Sequence, residues 1–254
     1  MKLLKAMAIA FSIYSKIPVP QFEWKEEDME YMMCFFPWIG GVIGMFFFGW
    51  AVLCEKFAVG NVCYALIGAA IPLMISGGFH VDGYMDTMDA FHSYQSREKK
   101  LEILKDSHIG AFAAIMLALY YMIDIAAISE IHTQKAVSAL AAVFFLARCF
   151  SGIAVMTFQP AKKEGLLYTF ASSAQKVRVK AALYFQAALC VAIMLLVSGW
   201  YGAAAIGAAL LSFFYFKKKS YKELGGITGD TAGFFVTVCE AAAAAAVAVA
   251  GYFL

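Results

Sequence analysis

Charge is what this sequence has least of. Only 15% of its 254 residues are Asp, Glu, Lys or Arg, against 63% hydrophobic ones, where a soluble domain carries ~25% and ~45–50%. A soluble fold of this composition would leave large apolar patches in water and aggregate. Disorder is excluded by the same figures, because disordered chains are poor in hydrophobic residues. The net charge is only +2, which provides no basic surface for nucleic acid. There is no C-x-x-C pair: Cys34, Cys54, Cys63, Cys149, Cys190 and Cys239 all lie in apolar segments, the setting of buried thiols rather than of disulfides or zinc ligands. Internal repeats are missing, and the alanine run 241–246 is the one low-complexity stretch; its small side chains suit close helix packing in a membrane. The composition therefore points to an all-α, polytopic integral membrane bundle, a single domain over residues 1–254.

Charge-free runs place the spans. Tyr31–Cys54 and Phe57–Phe79 hold no charge, Ile109–Ser129 holds only Asp124, Ala136–Ala161 only Arg148, and Thr231–Leu254 only Glu240. Ala181–Phe216 is 36 residues without a charge, ~54 Å of helix against a ~30 Å hydrocarbon core. It splits at Ser198-Gly199-Trp200-Tyr201-Gly202 into a hairpin of two short spans, for a total of seven, or six if that hairpin is re-entrant. With the N-terminus in the cytoplasm, seventeen of the 20 Lys and Arg fall before Tyr31 or in loops 80–108, 162–180 and 217–230. Only Lys56 and Lys135 fall outside, a strong positive-inside asymmetry that puts the C-terminus outside. Lys2 and Lys5 before Ala6–Tyr14 mimic a signal peptide, but Lys16-Ile17-Pro18-Val19-Pro20 replaces a small-residue cleavage site. Leu3, Met7, Phe11 and Tyr14 share a helical face, which predicts a short interfacial helix.

The chemistry concentrates in Gly77–Phe91, GGFHVDGYMDTMDAF. Asp82, Asp86 and Asp89 stand at i, i+4 and i+7, within about 60° of arc on one helix face. At ~6 Å and an effective dielectric of ~20, each pair of carboxylates repels by roughly 2.8 kcal/mol. Protonation or a cation between them relieves this, and hard carboxylate oxygens favour Mg²⁺ or Mn²⁺, with waters and phosphates completing the shell. A solvated helix face with Asp82 as N-cap is the plainer alternative. The following loop carries Arg97, Lys99, Lys100, Lys105 and Asp106, suited to phosphates and equally to anchoring at the membrane face. A second stretch, Gly225-Gly226-Ile227-Thr228-Gly229-Asp230-Thr231-Ala232-Gly233, opens the last span. Glycines before a helix let backbone N–H groups approach a phosphate, and Asp230 serves there as metal or substrate ligand, or only as an N-cap. Both stretches fall on the cytoplasmic side by charge, which predicts one shared cavity with Lys105, Asp106 and Arg97 at its mouth. Of the intramembrane charges, Arg148 and Glu240 lie at matching depth and are expected to pair, whereas Asp124 is expected to reach the outer interface.

At these residues the chain resembles the cobalamin synthase family, adenosylcobinamide-GDP ribazoletransferase. The likeness runs from Phe11-Ser12 and Ile17-Pro18-Val19-Pro20, through Phe36-Pro37 with Gly40 and Gly41, to the acidic stretch, which follows the family's GG-[FL]-H-x-DG-x-x-DT-x-D. It continues over Arg97, Leu101–Ser107, Ile109-Gly110, Arg148, Lys163-Glu164-Gly165-Leu166, and Gly225 to Thr231 with Glu240. Two positions depart from the pattern: His108 stands where the family usually has Arg, which removes a permanent charge, and Ala90 replaces a usual Gly. The resemblance implies a Mg²⁺-dependent transfer in the inner membrane: the 3′-hydroxyl of α-ribazole, or of its 5′-phosphate, attacks the cobinamide-bearing phosphorus of adenosylcobinamide-GDP, and GMP leaves. It also implies roles. Asp82, Asp86, Asp89, Asp230 and Glu240 would hold metal, and His80, Asp106 and Arg148 would serve catalysis. Arg97, Lys105, Ser107, His108, Lys163, Gly225, Gly226, Gly229 and Thr231 would bind substrate. Lipid is the other partner, nucleic acid is not expected, and homo-oligomerisation is left open. The rival readings are a CDP-alcohol phosphotransferase-like phospholipid synthase, whose Asp-Gly-x-x-Ala-Arg lacks its Ala-Arg here, and a cation-coupled transporter, whose paired halves are not visible.

Overall fold

A helix forms at every apolar segment. The computed structural model describes residues 2–20, 23, 25–162 and 164–253. Its helices are α1 (Lys2–Tyr14), α2 (Phe36–Lys56), α3 (Asn61–Ser76), α4 (Phe79–His92), α5 (Arg97–Ile103), α6 (Ala111–Ile128), α7 (Gln134–Thr157), α8 (Leu166–Ser173), α9 (Lys176–Ser198), α10 (Trp200–Leu224) and α11 (Gly229–Gly251), with two short 3₁₀ turns between α1 and α2. No strand occurs among the described residues beyond one isolated bridge, Pro160 to Ile227. The protein is an all-α membrane bundle.

α7 and α11 form its buried centre. Small residues let their neighbours approach: Gly40 and Gly44 of α2 lie directly on the Phe144 and Ala141 carbonyls of α7, leaving no room for a side chain. α11 buries Ala241, Ala243, Ala244, Ala248 and Ala250, the close packing the alanine run predicts. α9 packs on α7, α10 on α11 and α9, and α3 on α2 and α6. The apolar side chains left exposed, such as Phe46 at 62% and Leu196 at 86%, stand on outward helix faces, where lipid replaces water as solvent.

Five helices, α2, α6, α7, α9 and α11, are each long and apolar enough to cross a membrane, and α3 with α4 makes a sixth only as a pair bent by 97°. The expected seventh, α10, is a 25-residue helix but ends in Lys217, Lys218, Lys219 and Lys222. The expected break is real: Gly199 has φ +56° between α9 and α10. The two arms are not short, however, because α9 begins at Lys176 and α10 runs to Leu224, so most of the expected loop 217–230 is helical. Asp124 does not reach the interface; it is 6% exposed. Arg148 and Glu240 do meet, with Nη1 donating to Oε1 at 2.7 Å. α1 forms as expected, yet it buries Ala6, Ile9, Ala10 and Tyr14 and leaves Leu3 exposed. None of the six cysteines is bridged, but Cys63 is exposed rather than buried.

The bend after α3 creates the site. Gly77 (φ +67°) and Gly78 (φ +84°) are both left-handed, a conformation that glycine adopts without steric cost. The Lys16 backbone N–H ties to the Ile75 carbonyl at 2.8 Å, and the Lys16 stem lies over Gly77. The turn swings α4 across the first turns of α6 and α11, so its acidic face lies at the edge of the bundle.

Candidate active site

α4 and α11 cross at glycines. A methyl group at Gly83 would stand 2.8 Å from the Asp230 carbonyl oxygen, and one at Gly233 would stand 3.2 Å from the His80 Cα. The glycine after Asp82 is thus required by backbone approach, and that approach brings Asp82 beside Asp230. Both line one cavity of about 270 Å³, together with His80, Lys162, Glu164 and Thr228. The expected union of the two distant motifs is therefore present. Asp86 lies within electrostatic reach of Asp82, Asp230 and Asp89.

Asp230 is not the helix cap. Thr228 is: its Oγ1 accepts the Thr231 N–H at 3.2 Å, and the Thr231 hydroxyl oxygen accepts the Thr228 N–H at 2.8 Å. Thr231, expected to touch substrate, is fully buried in that capping box. The Asp230 carboxylate accepts a 3.4 Å bond from the Thr228 hydroxyl and lies near its own backbone N–H, and it lines the cavity. Asp89, the third member of the acidic face, is used differently. Its two oxygens accept the N–H groups of Gly110 at 2.6 Å and Ala113 at 2.9 Å, which caps α6 from a neighbouring helix.

Lys162 is the cavity cation that the sequence did not single out. Ala161 N–H donates to the Ile227 carbonyl and Ile227 N–H to the Gln159 carbonyl, at 2.8 and 2.9 Å. This pairing of 159–161 with the glycine-rich turn sets Lys162 against Asp230. The Lys162 ammonium donates to the Leu101 carbonyl at 2.6 Å; burial, then Lys105, pushes its pKa down from the usual lysine range. Lys163, the expected contact, lies outside the described residues.

The other expected residues are spread around this centre. Gly229 lines the cavity. Gly226 backs onto the Gln159 to Ala161 chain and Gly225 onto the Arg97 guanidinium. Arg97, Lys105 and Asp106 do not line the cavity; Lys105 reaches its rim by pairing with Glu164 at 2.5 Å. Asp106 accepts from the His108 backbone N–H at 3.0 Å and contacts its Nδ1 at 2.6 Å; the side-chain bond to His108 holds its carboxyl below the usual range. Ser107 and His108 are exposed beside it. Arg148 and Glu240 sit deep in the bundle as an ion pair, so Glu240 is bonded to a guanidinium rather than standing free for metal. His80 is the expected residue that lies deepest in the wall: it is 5% exposed, and neither ring nitrogen has a partner among the described residues.

Among the described residues no three His, Cys, Asp or Glu side chains converge on one metal position. The donor set fits a hard cation held by two carboxylates, Asp82 and Asp230, with its remaining ligands from water and phosphate.

The family model described as cobalamin-5-phosphate synthase matches residues 6–248. The chain belongs to this family. The adenosylcobinamide-GDP ribazoletransferase of Lachnoclostridium phytofermentans is 44% identical over 250 residues, which is 98% of this chain and 95% of that protein. The proteins of the same name from Clostridium botulinum (strain Alaska E43 / Type E3) and Azorhizobium caulinodans are 31% and 29% identical, each over at least 94% of both chains. No solved structure matches. As a member of the cobalamin-5-phosphate synthase family, the chain is a transferase of cobalamin biosynthesis with a multi-pass membrane fold.

Proposed function

We propose that the protein transfers the cobinamide-phosphate moiety of adenosylcobinamide-GDP to α-ribazole or α-ribazole 5′-phosphate. The acceptor's 3′-hydroxyl attacks the phosphorus that carries cobinamide. A new P–O bond forms, the P–O bond to GMP breaks, and the hydroxyl proton passes to a group on the cavity wall. The product is adenosylcobalamin or its 5′-phosphate. The observation that carries this reading is the meeting of Asp82 and Asp230 in one cavity with Lys162, a charge pattern suited to a diphosphate. The family match favours it over the phospholipid-synthase and transporter readings.

Phosphoryl transfer depends mainly on positioning and charge neutralisation. Mg²⁺ held by Asp82 and Asp230 would neutralise charge on the diphosphate. Lys162 would hold a phosphate oxygen, while Thr228 and Gly229 present the α11 N-terminus to the same group. His80, whose ring nitrogens have no partner among the described residues, and Asp82 are the candidate proton acceptors on the wall. Arg148 fixes α7 to α11 through Glu240 and acts as a positioning residue. The lysine-rich segments favour an inner-membrane enzyme whose cavity opens to the cytoplasm, where a charged nucleotide substrate arrives.

The test is GMP release by the detergent-purified protein supplied with adenosylcobinamide-GDP, α-ribazole and Mg²⁺. GMP must appear only when all three are present. A folded preparation that releases none refutes the reading.

A further inference from the structure

A second cavity, of about 520 Å³, lies on the neighbouring face of the first turns of α4. It shares Phe79 and Asp82 with the first, so the two spaces adjoin along those two side chains. Its walls are of two kinds. Leu73, Met85, Leu117 and Tyr121 make an apolar side, and Ser12, Lys16 and Ser76 with Gly78 make a polar one. Lys16 makes no ion pair among the described residues, and the fold fixes it there: its backbone is bonded to Ile75 and its stem covers Gly77. No side chain caps α4 at Gly78, so the first N–H groups of this 14-residue helix have no side-chain acceptor. Ser76 is only 7% exposed, lines the same space, and has no hydrogen-bond partner among the described residues. A hydroxyl that opens on the cavity from a mostly buried serine, a cation with no ion pair among the described residues and a helix N-terminus with no side-chain cap stand at one place, and these are the donors a phosphate requires.

Resting on the transferase reading above, we propose that this second cavity is the acceptor site. Its polar end, Lys16 with Ser76 and the α4 N-terminus, takes the 5′-phosphate of the acceptor nucleotide, and its apolar wall takes the aromatic base. In-line displacement requires the attacking and leaving oxygens on opposite sides of the phosphorus. Two cavities that meet only along Phe79 and Asp82 satisfy this: the diphosphate lies on the Asp230 side, and the acceptor hydroxyl reaches it at Asp82 from the other. A membrane phospholipid headgroup offers the same phosphate chemistry and is the competing source.

The experiment measures GMP release against acceptor concentration in nanodiscs, with α-ribazole 5′-phosphate and with α-ribazole, for wild type, Lys16→Met and Lys16→Arg. Met keeps the stem that covers Gly77 and removes the charge. Loss of one charge-assisted contact raises the KM for the phosphorylated acceptor about tenfold or more. The KM for α-ribazole moves much less, and Arg restores most of the difference. If Lys16→Met does not fold, Ser76→Ala gives the same split in smaller measure. Equal shifts for both acceptors, or no shift, overturn the proposal while leaving the transferase reading intact. A shift that follows phosphatidylglycerol content rather than the acceptor's phosphate assigns the cavity to lipid and also overturns it. Absence of GMP from the wild type with either acceptor removes the transferase reading and this site with it.

Discussion

Arg148 is 1% exposed, and its Nη1 donates both to Glu240 and to the Phe144 carbonyl, at 2.7 and 2.8 Å. Glu240 is 7% exposed on the central helix α11. Such a pair is costly to create and more costly to break, because removal of one partner strands the other where neither water nor lipid can satisfy it. Arg148→Met leaves Glu240 within electrostatic reach of Asp124 and without the guanidinium that is bonded to it. Glu240→Gln leaves a guanidinium with an amide oxygen in place of a carboxylate. Each single variant should lose ~3–5 kcal/mol, and the double variant no more than the worse single one, giving a coupling energy on the order of 3 kcal/mol. The assay is equilibrium unfolding in mixed micelles with SDS as denaturant, followed by helical circular dichroism. Additivity of the two single losses to within ~0.5 kcal/mol would refute the claim that this pair locks α7 to α11.

Gly83→Ala forces a methyl group into the Asp230 backbone at 2.8 Å; overpacking of this kind costs ~1–3 kcal/mol and should separate the two carboxylates, so that activity falls further than the melting temperature alone explains. Asp89→Ala removes the cap of α6 and should cost ~1–2 kcal/mol, read by thermal unfolding, with Asp89→Ser recovering part of it; a variant as stable as wild type contradicts the capping role. In a cysteine-free background, single cysteines placed at positions 95, 106 and 175 should resist an impermeant reagent in intact cells, and labelling of any of them overturns the cytoplasmic orientation.

The bundle and its centre were legible because a membrane imposes simple rules: long runs without charge become helices, and a lone Arg and a lone Glu at matching depth find each other. The acidic helix was legible from the i, i+4, i+7 spacing of Asp82, Asp86 and Asp89, and its meeting with Asp230 from the charge count that puts both stretches on one face of the membrane. Three features were not. Lys162 enters the cavity only because Gln159 to Ala161 pairs with Ile227, a contact between segments far apart in sequence with no local signature. Asp89 shares the helix face of Asp82 and Asp86, and nothing in that spacing reveals that the N-terminus of α6 would arrive to occupy it. Lys217 to Lys222 resemble a loop by charge, yet they continue α10, because long basic side chains at a helix end extend to the interface without interrupting the backbone.

The central claim is that Asp82 and Asp230 act as one site. The direct measurement is the initial rate of GMP release across a Mg²⁺ titration for wild type, Asp82→Asn and Asp230→Asn, each checked for folding by circular dichroism. Because Thr228 and not Asp230 caps α11, Asp230→Asn should keep the fold. Both variants should lose about a hundredfold or more of the rate, equivalent to ~2.7 kcal/mol of transition-state stabilisation, and their effects should not multiply in the double variant. A folded Asp230→Asn protein that releases GMP at the wild-type rate, with the same Mg²⁺ dependence, would contradict the account.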